Sequence, residues 1–331
     1  MSLSQDVSSE IVSNAPQTSP SLQRFERQLG GHRKLLSIND GSMIVKPCNE
    51  IERDFYELSI IHPDFAKWMP KYYGYLRLQG FNSSILESQR ECINEEQTAD
   101  TSRQLWGDDA SEEKRKKMIR KAEITTSGSL GLAVIAFQVF KNSSDSYINY
   151  DRVYGRSLTT DTVYSGFTNF FDADIPTKLR RLVIERFIED LELLADALRK
   201  QDVRLFSASL LFAYEGDPDA LSEALNKTKQ ENNQKLEECS QVKDAKEKDN
   251  WERKEVEDEE DEEDEEDENY EEDDEDEDSE FEEFKATDLR FIDFAHSYFR
   301  EGVGEDENSL FGLNSIVKIL SRLLDEIVKC D

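Results

Sequence analysis

The apolar positions of this chain change period several times, and each change marks an element. Leu36 and Ile38 alternate with polar neighbours, Asn39-Asp40-Gly41 follows, and Met43-Ile44-Val45 comes next. Two short runs around a tight-turn tripeptide predict a β-hairpin over 34–46, ended by Pro47. Residues 50–61 read as a helix. The aromatic segment WMPKYYGYL (68–76) is interrupted by Pro70 and Gly74. A helix is predicted from Ser111, a suitable N-cap, to about Ala122. TTSGSLG (125–131) reads as a turn-rich loop, and LAVIAFQVF (132–140) as a β-branched strand. Leu179, Leu182, Val183, Phe187, Leu191, Leu194, Ala195 and Leu198 recur at helical spacing and predict an amphipathic helix over 179–198. Val203–Phe212 and 289–296 read as strands. A last helix carries Leu313, Ile316, Val317, Leu320, Leu323, Leu324 and Ile327 on one face.

This order predicts a two-lobed α+β fold. The expected divisions are a disordered lead (1–21), an N-terminal lobe with hairpin (22–87), a C-terminal lobe (88–215), a disordered insert (216–285) and completion of the C-terminal lobe (286–331). Charge sharpens the picture of the insert. The 331 residues carry a net charge of −33, yet 24 of the 29 residues from Glu255 to Glu283 are Asp or Glu and none is Lys or Arg. Such a run repels itself and has little to bury. The remaining residues hold 50 acids against 41 bases, so the acidity belongs to one segment. Four cysteines (Cys48, Cys92, Cys239, Cys330) lack CxxC spacing, which argues against a zinc site and fits a reducing compartment. With no long apolar run and no signal-peptide core, a soluble intracellular protein is expected.

Three constellations carry candidate chemistry. In RFIDFAHS (290–297), Asp293 interrupts an apolar run and His296 follows it. A buried carboxylate needs a cation, a metal or a hydrogen-bond donor. An ATP-dependent kinase places a metal-holding aspartate in such a string, whereas a turn-capping aspartate is the plainer alternative. Lys46, after the second hairpin strand, and Glu52, in the next helix, have the order of a kinase lysine and its orienting glutamate, or of two solvated charges. The helix EEKRKKMIRK (112–121) puts Lys114, Lys117 and Lys121 on one face. Three cations suit a substrate with several phosphates. A solvated face, an import signal at KRKK and nucleic-acid contact are the rivals, the last weakened by the chain's acidity. Strands at Ser209 and Asp293 could present both residues to one cleft.

Taken together, GGH (30–32), DGSMIVKP (40–47), Glu52–Tyr56, PKYYGYL (70–76), TTSGSLG (125–131), YGRS (154–157), SLLFAYEGD (209–217) and IDFAH (292–296) resemble the inositol polyphosphate kinase family, most closely its fungal multikinases. The likeness spans roughly 30–87, 103–217 and 286–330. It implies an ATP-grasping, protein-kinase-like fold that transfers the ATP γ-phosphoryl group to an inositol phosphate hydroxyl with Mg2+. By matching position it implies that Lys46 contacts ATP phosphates, Glu52 orients it and Glu87 sits at the adenine hinge. Lys114, Lys117 and Lys121 would grip inositol phosphates. Asp293 would hold the metal, supported by Ser209 and His296.

One departure stands out. The family signature Pro-x-x-x-Asp-x-Lys-x-Gly belongs after Glu87, and SQRECINEEQTADTS (88–102) stands there instead. Either the sequence has been altered by an error in exon choice or reading frame, which leaves the kinase reading with activity impaired as written, or the chain is a genuine non-catalytic member. The competing function is a non-catalytic nuclear scaffold whose acid run binds basic proteins or transcription regulators. The family likeness and KRKK lead to an expected nuclear, and partly cytoplasmic, location. Direct DNA binding is not expected.

Overall fold

The computed structural model describes residues 22–25, 28–29, 35–38, 43–75, 111–230 and 285–330. The chain separates into two compact units, Met1–Asn49 with Leu76–Gln104, and Glu50–Tyr75 with Leu105–Asp331.

In the smaller unit the expected hairpin forms. Strands β2 (Leu36–Ile38) and β3 (Met43–Val45) pair antiparallel, with Leu36 opposite Val45 and Ile38 opposite Met43. A further strand, β1 (Leu22–Arg24), pairs with β2 and completes a sheet of order β1-β2-β3. The Asn39-Asp40-Gly41 turn lies outside the described residues, as does the segment GGH (30–32).

The larger unit begins with helices α1 (Glu50–Ser59) and α2 (Pro63–Ala66). Residues 50–75 were expected in the N-terminal lobe. They group with the larger unit because Phe55, Phe65, Trp68 and Met69 are buried in its core. Next come α3 (Glu112–Glu123) and a single-turn helix α4 (Ser127–Leu130), formed inside the expected TTSGSLG loop. The run 132–140 yields a strand only in its second half. Strand β4 (Phe137–Lys141) pairs with β5 (Ser146–Tyr150) in a hairpin. Helices α5 (Arg152–Ser157) and α6 (Val163–Phe170) follow. Asp151 caps α5 by accepting the N–H groups of Val153 and Tyr154, both at 3.0 Å.

Helix α7 (Thr177–Arg199) forms the axis of the core. Its Val183, Ile184, Phe187, Leu191, Leu194 and Leu198 are fully buried. The expected strand 203–212 is broken in two, β6 (Val203–Arg204) and β7 (Ser209–Tyr214). The break falls at Ser207, whose φ of +57° is incompatible with an extended chain. The first part of the expected insert is helical. A helix, α8, covers 218–230 and buries Leu221 and Ala224 in the core, and 231–284 lies outside the described residues.

Strand β8 (Thr287–Ile292) pairs antiparallel with β7, and β9 (Tyr298–Phe299) with β6. Helix α9 (Glu307–Cys330) packs along α7 with Leu313, Ile316, Leu320, Leu323 and Ile327 inward. This is the 3.6-residue stripe that the sequence displays.

Two polar clamps hold the chain before α9. Asp202 accepts the N–H groups of Gly302 (2.9 Å) and Gly304 (2.7 Å) through different oxygens. Asp306 is buried, caps α9 through Ser309 N–H (3.1 Å) and accepts Leu205 N–H (2.8 Å). The backbone bonds from Gly302 and Gly304 hold the Asp202 carboxyl below the ordinary value of 3.8. A depressed folded-state value adds stability above 3.8, and that stability fades as pH falls through the depressed value. Asp202→Asn keeps one accepting oxygen of two. Thermal melts should find it less stable than the parent at pH 7, with the gap closing below pH 3.8; a gap independent of pH would contradict this.

Candidate functional site

The register of two strands builds the first part of the site. Ser209 opens β7 opposite Ile292, the last residue of β8. Asp293 follows directly, so its backbone lies beside that of Ser209. At Asp293 the chain leaves the strand with φ of +67°, in the left-handed region. Non-glycine residues seldom sit there, although aspartate tolerates it better than most. Ala295 and His296 form the next turn, which Ser297 N–H closes by donating to the Phe294 carbonyl at 3.0 Å. Asp293 and His296 are half-buried, as is Ser209.

Helix α1 supplies the partner. Its buried face runs Glu52, Phe55, Ser59, the i, i+3, i+7 spacing of one helix side. Glu52 is 2% exposed, and its Oε1 accepts the backbone N–H of Phe294 at 3.1 Å. A buried acid on a helix is therefore tied to the residue after Asp293. Aromatic rings surround the bond. Phe55 stacks on Phe294 (4.5 Å between centroids) and on Phe299 (4.6 Å), and Tyr56 meets Phe294 edge-on. In such an apolar setting a hydrogen bond is strong, and a missing partner is costly.

The edge of β8 is secured by the segment after α2. Phe291 N–H donates to the Trp68 carbonyl at 2.7 Å, and the Arg290 guanidinium reaches the carbonyls of Lys67 and Met69. The PKYYGYL segment thus starts from a fixed point beside the Asp293 turn.

The second candidate element is α3. Lys117 and Lys121 are exposed, and Lys114 lies in the first turn of the same helix. Arg115, Lys116 and Arg120 bring the cations to six in twelve residues. The inner side of α3 is narrow, with only Met118 and Ala122 half-buried among its described side chains. The helix packs on α4, and the hydroxyl of Thr125 donates to the Lys121 carbonyl at 2.9 Å.

Of the residues singled out from sequence, Glu52, Ser209, Asp293 and His296 come together in the larger unit. Lys46 follows β3 and belongs to the smaller unit. Glu87 and the divergent stretch 88–102 lie outside the described residues. The sequence reading missed the tie from Glu52 to Phe294. Its trace was an acid placed on the apolar face of α1, three residues before Phe55. The sequence reading also missed the bond from the Thr125 hydroxyl to the end of α3.

The fold agrees with comparisons to known proteins. Residues 102–321 match the family model described as inositol polyphosphate kinase. The chain is 30% identical over 217 residues to the inositol polyphosphate multikinase of Schizosaccharomyces pombe, covering 59% of this chain and 80% of the relative. It is 27% identical over 362 residues to that of Saccharomyces cerevisiae, covering 90% and 97%. A crystal structure of the S. cerevisiae inositol phosphate multikinase in complex with ADP and Mn2+ superposes with a TM-score of 0.53 at 25% identity, over 84% of this chain and 98% of that one. These findings define the class of protein, a phosphotransferase with the mixed helix and sheet fold of the inositol phosphate kinases. The chain belongs to the inositol polyphosphate kinase family.

Removing the Glu52 side chain leaves the Phe294 N–H buried without its acceptor, at a cost of about 1–3 kcal/mol. Urea melts should show that loss for Glu52→Ala and a smaller one for Glu52→Gln, whose amide oxygen still accepts. Equal losses would mean that the bond contributes little.

Proposed function

We propose that this protein transfers the γ-phosphoryl group of ATP to a hydroxyl of a soluble inositol polyphosphate, with Mg2+ or Mn2+ as the metal. The observation that carries the reading is Asp293, held at the end of β8 in a left-handed conformation with the following N–H fixed by a buried Glu52. Backbone outliers that are over-determined by their surroundings concentrate at working sites. Phosphoryl transfer needs that rigidity, because its catalysis is mostly positioning and charge stabilisation.

The residues present fit a nucleotide-bound divalent ion. Among the described residues, no three His, Cys, Asp or Glu side chains converge as a metal cage. A single aspartate is what an ion needs when phosphate oxygens and water supply its other ligands. Bound there, the ion would neutralise charge on the phosphates. Asp293 would hold it, and Lys46 would pair with ATP phosphates. Glu52 would position the Asp293 turn, Ser209 and His296 would border it, and Glu87 would lie beside adenine. Lys114, Lys117 and Lys121 would hold the phosphates of the inositol ring. The Asp and Lys of the family signature are missing from 88–102, and losing one preorganised charge-stabilising group typically costs about 10²–10³ in rate.

The test is ADP release and product analysis with the purified full chain, ATP, inositol trisphosphate and either metal. With both groups missing, turnover is expected more than about 10²–10³ below that of the S. pombe relative assayed alongside. Asp293→Asn should fall to background. Lys117→Ala and Lys121→Ala should each raise the KM for inositol trisphosphate about tenfold, equivalent to about 1.4 kcal/mol, and leave the KM for ATP within about twofold. No phosphorylated inositol product from the parent chain, with an active control, would overturn the reading.

A further inference from the structure

Helix α3 is almost entirely exposed, so something outside it must fix where its lysines stand. Three glycines lie along the route by which it is held. A side chain on Gly128, in α4, would put its Cβ 2.8 Å from the carbonyl oxygen of Ala122 in the last turn of α3. A side chain on Gly131, which ends α4 with φ of +69°, would come within 2.7 Å of the backbone nitrogen of Gly312. A side chain on Gly312, inside α9, would meet the carbonyl oxygen of Gly131 at 2.6 Å. Each is a backbone-to-backbone approach that no flexible side chain can relieve. Two hydroxyls lock the geometry. Thr125 bonds the Lys121 carbonyl, and Thr126 Oγ1 donates to the Leu132 carbonyl at 2.7 Å.

We infer that Gly128, Gly131 and Gly312 are substrate-positioning residues. They let α4 seat directly against both α9 and α3, so that the long core helix α9 sets the position of Lys117 and Lys121. None of the three needs to touch the substrate. A methyl group at any of these points forces α4 or α3 outward by a few tenths of an ångström or more. Charge-assisted contacts to several phosphates are sensitive to that scale of displacement. This inference rests on the reading of α3 as the inositol phosphate-binding helix.

The experiment compares Gly128→Ala and Gly312→Ala with the parent chain, with Gly302→Ala as control. Gly302, unlike Gly128 and Gly312, has a positive φ, of +78°, and no atom lies within 4 Å of its would-be Cβ, so its variant carries backbone strain without a close approach. Gly128→Ala and Gly312→Ala should raise the KM for inositol trisphosphate about tenfold, with the KM for ATP within about twofold. They should also speed trypsin cleavage at Lys117 and Lys121, followed by mass spectrometry under native conditions. The cleavage readout needs no turnover, so it stands even if activity is very low. Gly302→Ala should change neither. Unchanged KM and cleavage in both variants would overturn the inference. So would equal rises in the KM for ATP and for inositol trisphosphate, or cleavage accelerated throughout the chain, since either marks a general loss of structure. If Lys121→Ala leaves the KM for inositol trisphosphate unchanged, the reading of α3 fails. If Lys121→Ala raises it and the glycine variants do not, only the positioning role fails.

Discussion

The bond between Glu52 and the N–H of Phe294 is the constraint on which the site depends. Its two ends are 242 residues apart in sequence, so neither is placed by local structure. A buried acid side chain and a buried amide must both be satisfied, or each costs free energy in an apolar setting. Because they satisfy each other, α1 and the end of β8 are coupled. The stacked rings of Phe55, Phe294 and Phe299 exclude water from that junction and add packing at little entropic cost. Asp293 is held in the left-handed region between a paired strand on one side and this junction on the other.

The surrounding framework is stiff for separate reasons. The α7 and α9 helices present continuous apolar stripes to each other, and β8 lies against α7. Arg290 and the Phe291 N–H take up the carbonyls of 67–69, which would otherwise leave an edge of β8 unpaired. Asp202 and Arg204 take up N–H and carbonyl groups of the chain between β9 and α9, and Asp306, at the end of that segment, accepts the Leu205 N–H. The Asp293 turn therefore sits between two segments whose backbone groups are already spoken for.

Much of this was legible in the sequence. The hairpin, α1, α7 and α9 announce themselves by period, which reports burial on one face, while α3 is marked by its Ser111 cap. The strand over 203–212 was misjudged because Val203, Leu205, Leu210 and Phe212 are all apolar while the bend lies in backbone geometry at Ser207. Helix 218–230 was hidden by its polar surface, since only Leu221 and Ala224 bury deeply. Helices α5 and α6 were missed for the opposite reason. They are short, and α5 also rests on a close approach: a Cβ on Gly155 would lie 2.4 Å from the Val134 carbonyl oxygen. For the site, Asp293 was found as an acid in an apolar run. The Glu52 contact was out of reach because a side chain bonding to a backbone amide leaves no mark on the amide's residue type.

The charge pattern poses one more physical question, how a chain of net charge −33 can attract a polyanion. Distance and screening decide it. At physiological ionic strength exposed charges fade over about 8 Å, so what an anion meets at a surface is the local arrangement. Six cations fall within the twelve residues of α3, and Arg115, Lys116, Lys117, Arg120 and Lys121 are exposed, which makes a concentrated patch whatever the sum over the chain. Compactness is what makes such a patch selective. A diffuse basic surface would bind any nucleic acid or polyanion, whereas cations on one short helix, fixed by backbone contact with a core element, match a ligand whose phosphates are themselves fixed on a small ring. On the proposed reading of α3, the close backbone approaches at Gly128, Gly131 and Gly312 and selectivity for a small polyphosphate would be two aspects of one packing arrangement.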